Sequence, residues 1–79
     1  MNTREENEQK IKEVCSKVAF FDGWDLDFDF VYDMYMDSID VAEFQLKIEQ
    51  EFGTHIPDDK WESITTPRKL LDYFDKIGQ

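Results

Sequence analysis

The run Asp37-Ser38-Ile39-Asp40-Val41-Ala42-Glu43-Phe44-Gln45-Leu46-Lys47-Ile48-Glu49-Gln50-Glu51-Phe52-Gly53 carries both ends and the apolar face of an amphipathic helix. Asp37 is a residue type that caps helix starts, because its carboxylate accepts from a backbone N–H of the first turn, and Asp40 stands at the N3 position. Val41, Phe44, Ile48 and Phe52 recur at helical spacing and form one inward stripe, with Ile39, Ala42 and Leu46 as a second stripe beside it. Asp40, Glu43, Lys47 and Glu49 occupy polar positions. Gly53 ends the pattern, since glycine readily takes the left-handed conformation that closes a helix. The expected helix runs to about residue 51 or 52, and Ser38 sits in its first turn.

Working outward, Thr3-Arg4-Glu5-Glu6 has capping-box form. A helix over residues 4–19 follows, with Ile11, Val14, Cys15 and Val18 on one side. Residues 20–36 hold Gly23 and five aspartates and read as a long loop. A loop of that length needs anchors, and Phe20, Phe21, Trp24, Phe28 and Phe30 are expected to supply them. Beyond Gly53, Ile56-Pro57-Asp58 is an extended lead-in to a short helical turn over residues 59–63, capped by Asp58. Thr66-Pro67 is a cap followed by proline at the first helical position, where its missing N–H costs nothing. The last helix, residues 67–77, is expected to bury Leu70, Phe74 and Ile77. Nothing reads as a strand. The expectation is an all-α bundle of three longer helices and one short helix, with a long first loop, forming one domain over residues 1–79.

Seventy-nine residues suit one small domain, and an apolar share of 41% with seven Phe and two Trp suits one core rather than disorder. Nineteen acids against nine bases leave a net charge of −10. That charge repels phosphate backbones and anionic lipid, so nucleic acid and membrane surfaces are not expected partners. It suits basic protein partners, and it also serves simply to keep a small domain in solution. One cysteine cannot form an internal disulfide, which fits a reducing compartment. Its place on the apolar stripe of the first helix reads as a buried structural thiol. The N-terminus is charged throughout, and no apolar run approaches the roughly 20 residues that span a bilayer. A monomeric, cytoplasmic protein with no membrane insertion is expected.

Few groups here can do chemistry. Asp25-Leu26-Asp27-Phe28-Asp29 alternates carboxylates like a calcium loop, but that pattern then needs glycine at its sixth position and glutamate at its twelfth, where this chain has Phe30 and Met36. No His or Cys pair has metal-ligand spacing and no glycine-rich phosphate loop exists, so no metal site is expected. Ser38 has no neighbouring base: the single histidine, His55, lies in the connection after Gly53 and reads as a surface residue. Flanking carboxylates oppose an alkoxide. The chain therefore reads as a non-enzyme. Ser38 is then either an ordinary first-turn residue or a hydroxyl acted upon by another protein. A phosphate ester there would meet the free N–H groups and positive dipole end of the helix.

Asp37-Ser38-Ile39-Asp40 resembles the Asp-Ser-Leu attachment motif of acyl carrier proteins, usually followed by an acidic residue. The resemblance continues without a gap through Glu43, Glu49-Gln50-Glu51-Phe52, Ile56-Pro57-Asp58-Asp59, Ile64-Thr65-Thr66 and Asp72-Tyr73, and covers about the last 45 residues closely. It implies that a phosphopantetheinyl transferase moves 4'-phosphopantetheine from coenzyme A to Ser38, and that the arm's thiol then carries acyl groups as thioesters. The transferase would bring the base and magnesium. The resemblance further implies docking by Asp37, Ile39, Asp40, Glu43, Leu46, Glu49 and Glu51 to basic patches on a ketosynthase, ketoreductase, dehydratase, enoyl reductase or acyltransferase. It also implies an acyl space lined by Phe30, Met34, Phe44, Ile48, Ile56, Trp61, Ile64, Leu70 and Phe74, all of which suit an ordinary core equally well. Fatty-acid-like or polyketide-like synthesis is the expected setting. An aminoacyl or peptidyl carrier and an unmodified acidic helical interaction module are the alternatives.

The chain departs from that family at several places. Met34-Tyr35-Met36 stands where Leu-Gly-Ala or similar is common, so Tyr35 replaces a glycine and puts an aromatic ring near the base of an arm. Tyr35 and Met36 are candidates to contact pantetheine or to shape partner choice. Trp61 occupies a short turn where small residues are common. Lys47 adds a positive charge to the docking helix, and Gln50 is neutral where an acid is frequent. These departures point to a specialised carrier.

Overall fold

The computed structural model describes residues 3–79. Four helices follow one another: α1 (Arg4–Val18), α2 (Ser38–Phe52), α3 (Asp58–Trp61) and α4 (Pro67–Ile77), with no strand among the described residues. The expected all-α four-helix architecture with a long first loop is the one observed. Among the described residues no helix is long and apolar enough to cross a membrane.

Local chemistry sets the helix ends. Thr3 accepts from the Glu6 N–H, and the Glu6 side chain returns the bond to the Thr3 backbone, which starts α1. Asp37 and Asp40 form the same reciprocal pair at α2: Asp37 Oδ1 accepts from the Asp40 N–H at 2.8 Å, and Asp40 Oδ2 accepts from the Asp37 N–H at 3.2 Å. Gly53 stops α2 at φ 62°, a conformation open to glycine without a Cβ clash. Thr66 caps α4 by accepting from the Lys69 N–H. The short helix differs from expectation. It starts at Asp58, one residue early, and Pro57 stands at its cap position with no side-chain bond. The proline holds an extended backbone ahead of the turn, so Asp58 falls inside the first turn.

α1 packs on α2 and α4, and one apolar cluster joins all four helices to the loop. Phe44 lies at its centre, 4.7 Å from the Phe30 ring and 6.3 Å, edge-on, from Trp61. Phe52 and Phe74 stack at 4.2 Å. Aromatic pairs at such separations add about 0.5–1.5 kcal/mol each beyond their burial. Leu71 is fully buried, whereas Ile77 is 44% exposed. α4 thus turns Leu70, Leu71 and Phe74 inward and leaves its last turn at the surface, contrary to the expected burial of Ile77.

The first loop is built by its own aspartates. Asp29 Oδ1 accepts from the Val31 and Tyr32 N–H groups, Asp25 Oδ1 from Asp27, and Asp33 Oδ2 from Asp29. Those of Asp25 and Asp29 are Asx-type turns, in which a short carboxylate replaces a backbone acceptor, whereas Asp33 reaches back four residues. The loop is then tied to the segment ahead of α4. Phe30 N–H donates to the Thr65 carbonyl at 3.0 Å, Arg68 N–H donates to the Leu26 carbonyl at 2.9 Å, and the Arg68 guanidinium forks onto Asp27. Phe30 is buried, and Phe21, Trp24 and Phe28 pack on the core. Phe20 does not: it is 97% exposed. Of the adjacent pair Phe20-Phe21, the loop turns only Phe21 inward.

Candidate functional site

The chain has three serines, and their hydroxyls differ. Ser16 Oγ donates to the Lys12 carbonyl and Ser63 Oγ to the Lys60 carbonyl, both at 2.9 Å. Ser38 is exposed, stands at the first position of α2, and its hydroxyl bonds to no other described residue. The Asp37–Asp40 box consumes the Asp40 N–H, while the Val41 N–H goes to the Asp37 carbonyl at 2.9 Å. The Ser38 and Ile39 N–H groups belong to the set that a helix start leaves without intrahelical partners. A phosphoester on Ser38 would have those two donors and the helix dipole beside it. His55 cannot serve Ser38 as a base. It lies past the far end of α2, with Nδ1 3.0 Å from Glu49 Oε2.

The outer face of α2 carries Ile39 (75% exposed), Ala42, Glu43 and Leu46 (56% exposed). Ile39 and Leu46 are two turns apart on one side of the helix, so they form an apolar ridge between acidic groups. Asp37 is exposed and Asp40 partly so, although both are engaged in capping. Glu43 lies 3.7 Å from Lys47 Nζ one turn on, which offsets part of its charge. Glu51 is exposed on the side facing α1, in a shallow cleft shared with Lys17 and Lys47. Glu49 leaves the expected docking set. Its side chain is only 21% exposed, and Oε2 accepts from the Ile56 N–H at 2.7 Å, which fastens the α2–α3 connection. Sequence spacing put Glu49 on a polar face but could not show the backbone folding back onto it.

The nine residues expected to line an acyl space are all buried, between 0% and 8% exposed, in one close-packed cluster. A shallow groove of about 160 Å³ between α2 and α3 reaches Phe30, Trp61 and Ile64 from outside, with Val41, Gln45 and Thr65 at its rim. A second, wider depression of about 300 Å³ lies between the two ends of the first loop, lined by Phe20, Phe21, Asp22 and Tyr35. Tyr35 is 76% exposed and has φ 60°, the only non-glycine residue described in the left-handed region. The common glycine at this position in the family it resembles was the signal for that conformation. Met36 points the other way and is 2% exposed, so it is a core residue and not a contact for an arm.

The aspartate-rich loop does not gather a metal set. No group of three or more potential ligands comes together among the described residues; its carboxylates accept from backbone N–H groups instead. Arg68's hydrogen bond and positive charge hold the Asp27 carboxyl below its ordinary value. Burial pushes the Cys15 thiol up to about 12, so it stays protonated and inert at neutral pH.

Among the described residues the bundle is small, acidic and all-helical, with an exposed serine at the start of α2, and its class is a carrier domain. The family model described as "Phosphopantetheine attachment site" matches residues 9–74, most of the chain, and the chain belongs to that family, which includes the acyl carrier proteins. A domain of this family bears 4'-phosphopantetheine covalently on a serine. It works with a phosphopantetheinyl transferase and with acyl-processing enzymes.

Proposed function

We propose that Ser38 is the attachment site and that residues 1–79 are a single carrier domain for acyl intermediates of fatty-acid-like or polyketide-like synthesis. The observation that carries this reading is the contrast among the three serines: Ser16 and Ser63 are committed to backbone carbonyls, whereas the Ser38 hydroxyl bonds to no other described residue and is exposed at the start of α2. In the loading step the Ser38 Oγ attacks the phosphorus of coenzyme A that bears pantetheine. The new O–P bond forms as the bond to the nucleotide phosphate breaks, and the serine proton passes to a base on the transferase. Among the described residues no base stands beside Ser38, and in this reading the transferase supplies it. When attached, the arm would supply a thiol for thioester chemistry, and Ser38 at the start of α2 would hold it.

Asp37, Ile39, Asp40, Glu43, Leu46 and Glu51 are the proposed docking residues for ketosynthase, ketoreductase, dehydratase, enoyl reductase or acyltransferase surfaces carrying Lys and Arg. Exposed ion pairs contribute only about 0–1 kcal/mol each, so such docking is weak and fast, as serial exchange between enzymes requires. The net charge of −10 supports basic protein partners over nucleic acid. The lone buried thiol is in keeping with a cytoplasmic protein. The nine core residues are structural first, and a chain entering at the Phe30–Trp61–Ile64 groove would have to part them. An aminoacyl or peptidyl carrier is the second reading, and the mass of the native cargo separates the two. The test of the attachment site is incubation with coenzyme A and a broad-specificity transferase. Wild type gains one phosphopantetheinyl mass and Ser38→Ala gains none; a loaded Ser38→Ala would overturn the assignment.

A further inference from the structure

Two aromatic rings at the ends of the first loop contribute little to the fold. Phe20 is 97% exposed and Tyr35 76%, and Tyr35 is held in a backbone conformation that residues with a Cβ disfavour. The exposed rings contribute little to the free protein, and the backbone of Tyr35 costs it stability. With Phe21 and Asp22 they line an open cleft of about 300 Å³, near the lower limit of small-molecule sites. The α2–α3 groove offers about half that space, and behind it Met34, Phe44, Ile48 and Phe74 are at most 1% exposed. The Phe20–Tyr35 cleft is thus the more spacious of the two and needs no parting of core side chains to be entered. It is also close to the tether, since Tyr35 precedes Ser38 by three residues.

We propose that the Phe20–Phe21–Tyr35 cleft is the resting seat of the cargo carried on the arm: the apolar chain or ring of a neutral thioester. This inference rests on Ser38 being the attachment site. A group held on a short flexible tether has an effective concentration in the millimolar range, so a weak aromatic contact that would not retain a free ligand retains a tethered one. Asp22, the one charged residue of the lining, favours a neutral thioester over a free fatty acid, whose carboxylate it repels. The Asp22 carboxylate is also an acceptor for an amide N–H of the arm.

The two tryptophans separate the seats. Trp24 lies against Phe21, ring centroids 6.2 Å apart, while Trp61 lines the α2–α3 groove. Trp61→Phe and Trp24→Phe proteins, each with one indole left, are loaded from bromoacyl coenzyme A and from the unbrominated acyl coenzyme A by a broad transferase. Bromine quenches indole emission on contact. The expected result is loss of Trp24 emission in the brominated form with Trp61 emission unchanged. Phe20→Ala combined with Tyr35→Gly restores the Trp24 emission without reducing the loaded mass. As a check free of tryptophan changes, acylation of wild type shifts the amide resonances of Phe20, Phe21 and Tyr35 more than those of Phe30 and Ile64. Quenching of Trp61 alone, or of neither indole, in a protein of the correct loaded mass overturns the seat and leaves the attachment site standing. A protein that takes up no arm overturns the attachment site and the seat with it.

Discussion

Replacing Tyr35 by glycine, alanine and asparagine in turn separates the conformation of its backbone from the packing of its ring. At φ 60° a residue with a Cβ is strained by roughly 1–2 kcal/mol, which glycine escapes. Glycine gives back about 0.4–1 kcal/mol by loosening the unfolded chain. The ring is 76% exposed, so about a quarter of its burial is at stake, on the order of 0.5 kcal/mol against about 1.5–3 kcal/mol for a fully buried large side chain. These terms nearly cancel, and Tyr35→Gly is expected within about 1 kcal/mol of wild type. Tyr35→Ala keeps the strain and loses the ring, so it is expected below Tyr35→Gly by about 1 kcal/mol, which is roughly 4–8 °C in Tm for a domain of this size. Asparagine, which tolerates the left-handed region, should fall between them. Thermal and urea unfolding followed by circular dichroism measure the order. Alanine equal to or above glycine would refute the left-handed backbone. A loss of more than about 2 kcal/mol in both would show that the ring is packed, not exposed.

Three further outcomes follow from particular contacts. Glu49→Ala strands the Ile56 N–H and is expected to cost about 1–3 kcal/mol by urea unfolding, with Glu49→Gln, which keeps an acceptor, losing less. Asp27 is held below its ordinary value by Arg68. The unfolded chain therefore binds the extra proton first, and this contribution to stability is full above the ordinary carboxylate range and fades as pH falls through the folded value. Asp27→Asn should flatten the acid limb of a stability-versus-pH profile, and an unchanged limb would argue against the pair in solution. The Cys15 thiol runs the opposite way. Raised from 9.0 to about 12, it contributes fully below the unfolded value and progressively less as pH climbs toward 12. A thiol reagent at neutral pH should consequently modify the protein only after urea is added, and prompt labelling of the native state would contradict its burial.

The helices were legible in the sequence where the signal is local. Thr3 with Glu6, Asp37 with Asp40, Gly53 and Thr66-Pro67 each mark a boundary by chemistry that acts within four residues, and each boundary falls where that chemistry puts it. The long loop was not legible in the same way. Alternating aspartates resembled a cation site, yet Asp25, Asp29 and Asp33 accept from backbone N–H groups of the loop, and no period marks which of Phe20 and Phe21 faces inward. Ile77 lay on the apolar stripe of α4, but the bundle ends before its last turn. Glu49 was placed on the outer face by helical spacing, while its partner, the Ile56 N–H, comes from a segment whose path the spacing does not describe. Around Ser38, the cap and the absence of a base could be read in advance. The open cleft beside it could not, because it needs Phe20 and Tyr35 brought together from the two ends of the loop.

The most direct test is tandem mass spectrometry of the protein purified from its own cells, with the fragment that carries the prosthetic arm identified. The account predicts 4'-phosphopantetheine on Ser38 and an acyl thioester on part of the population. An arm found on Ser16 or Ser63, or a chain that bears none in any growth condition, would contradict it.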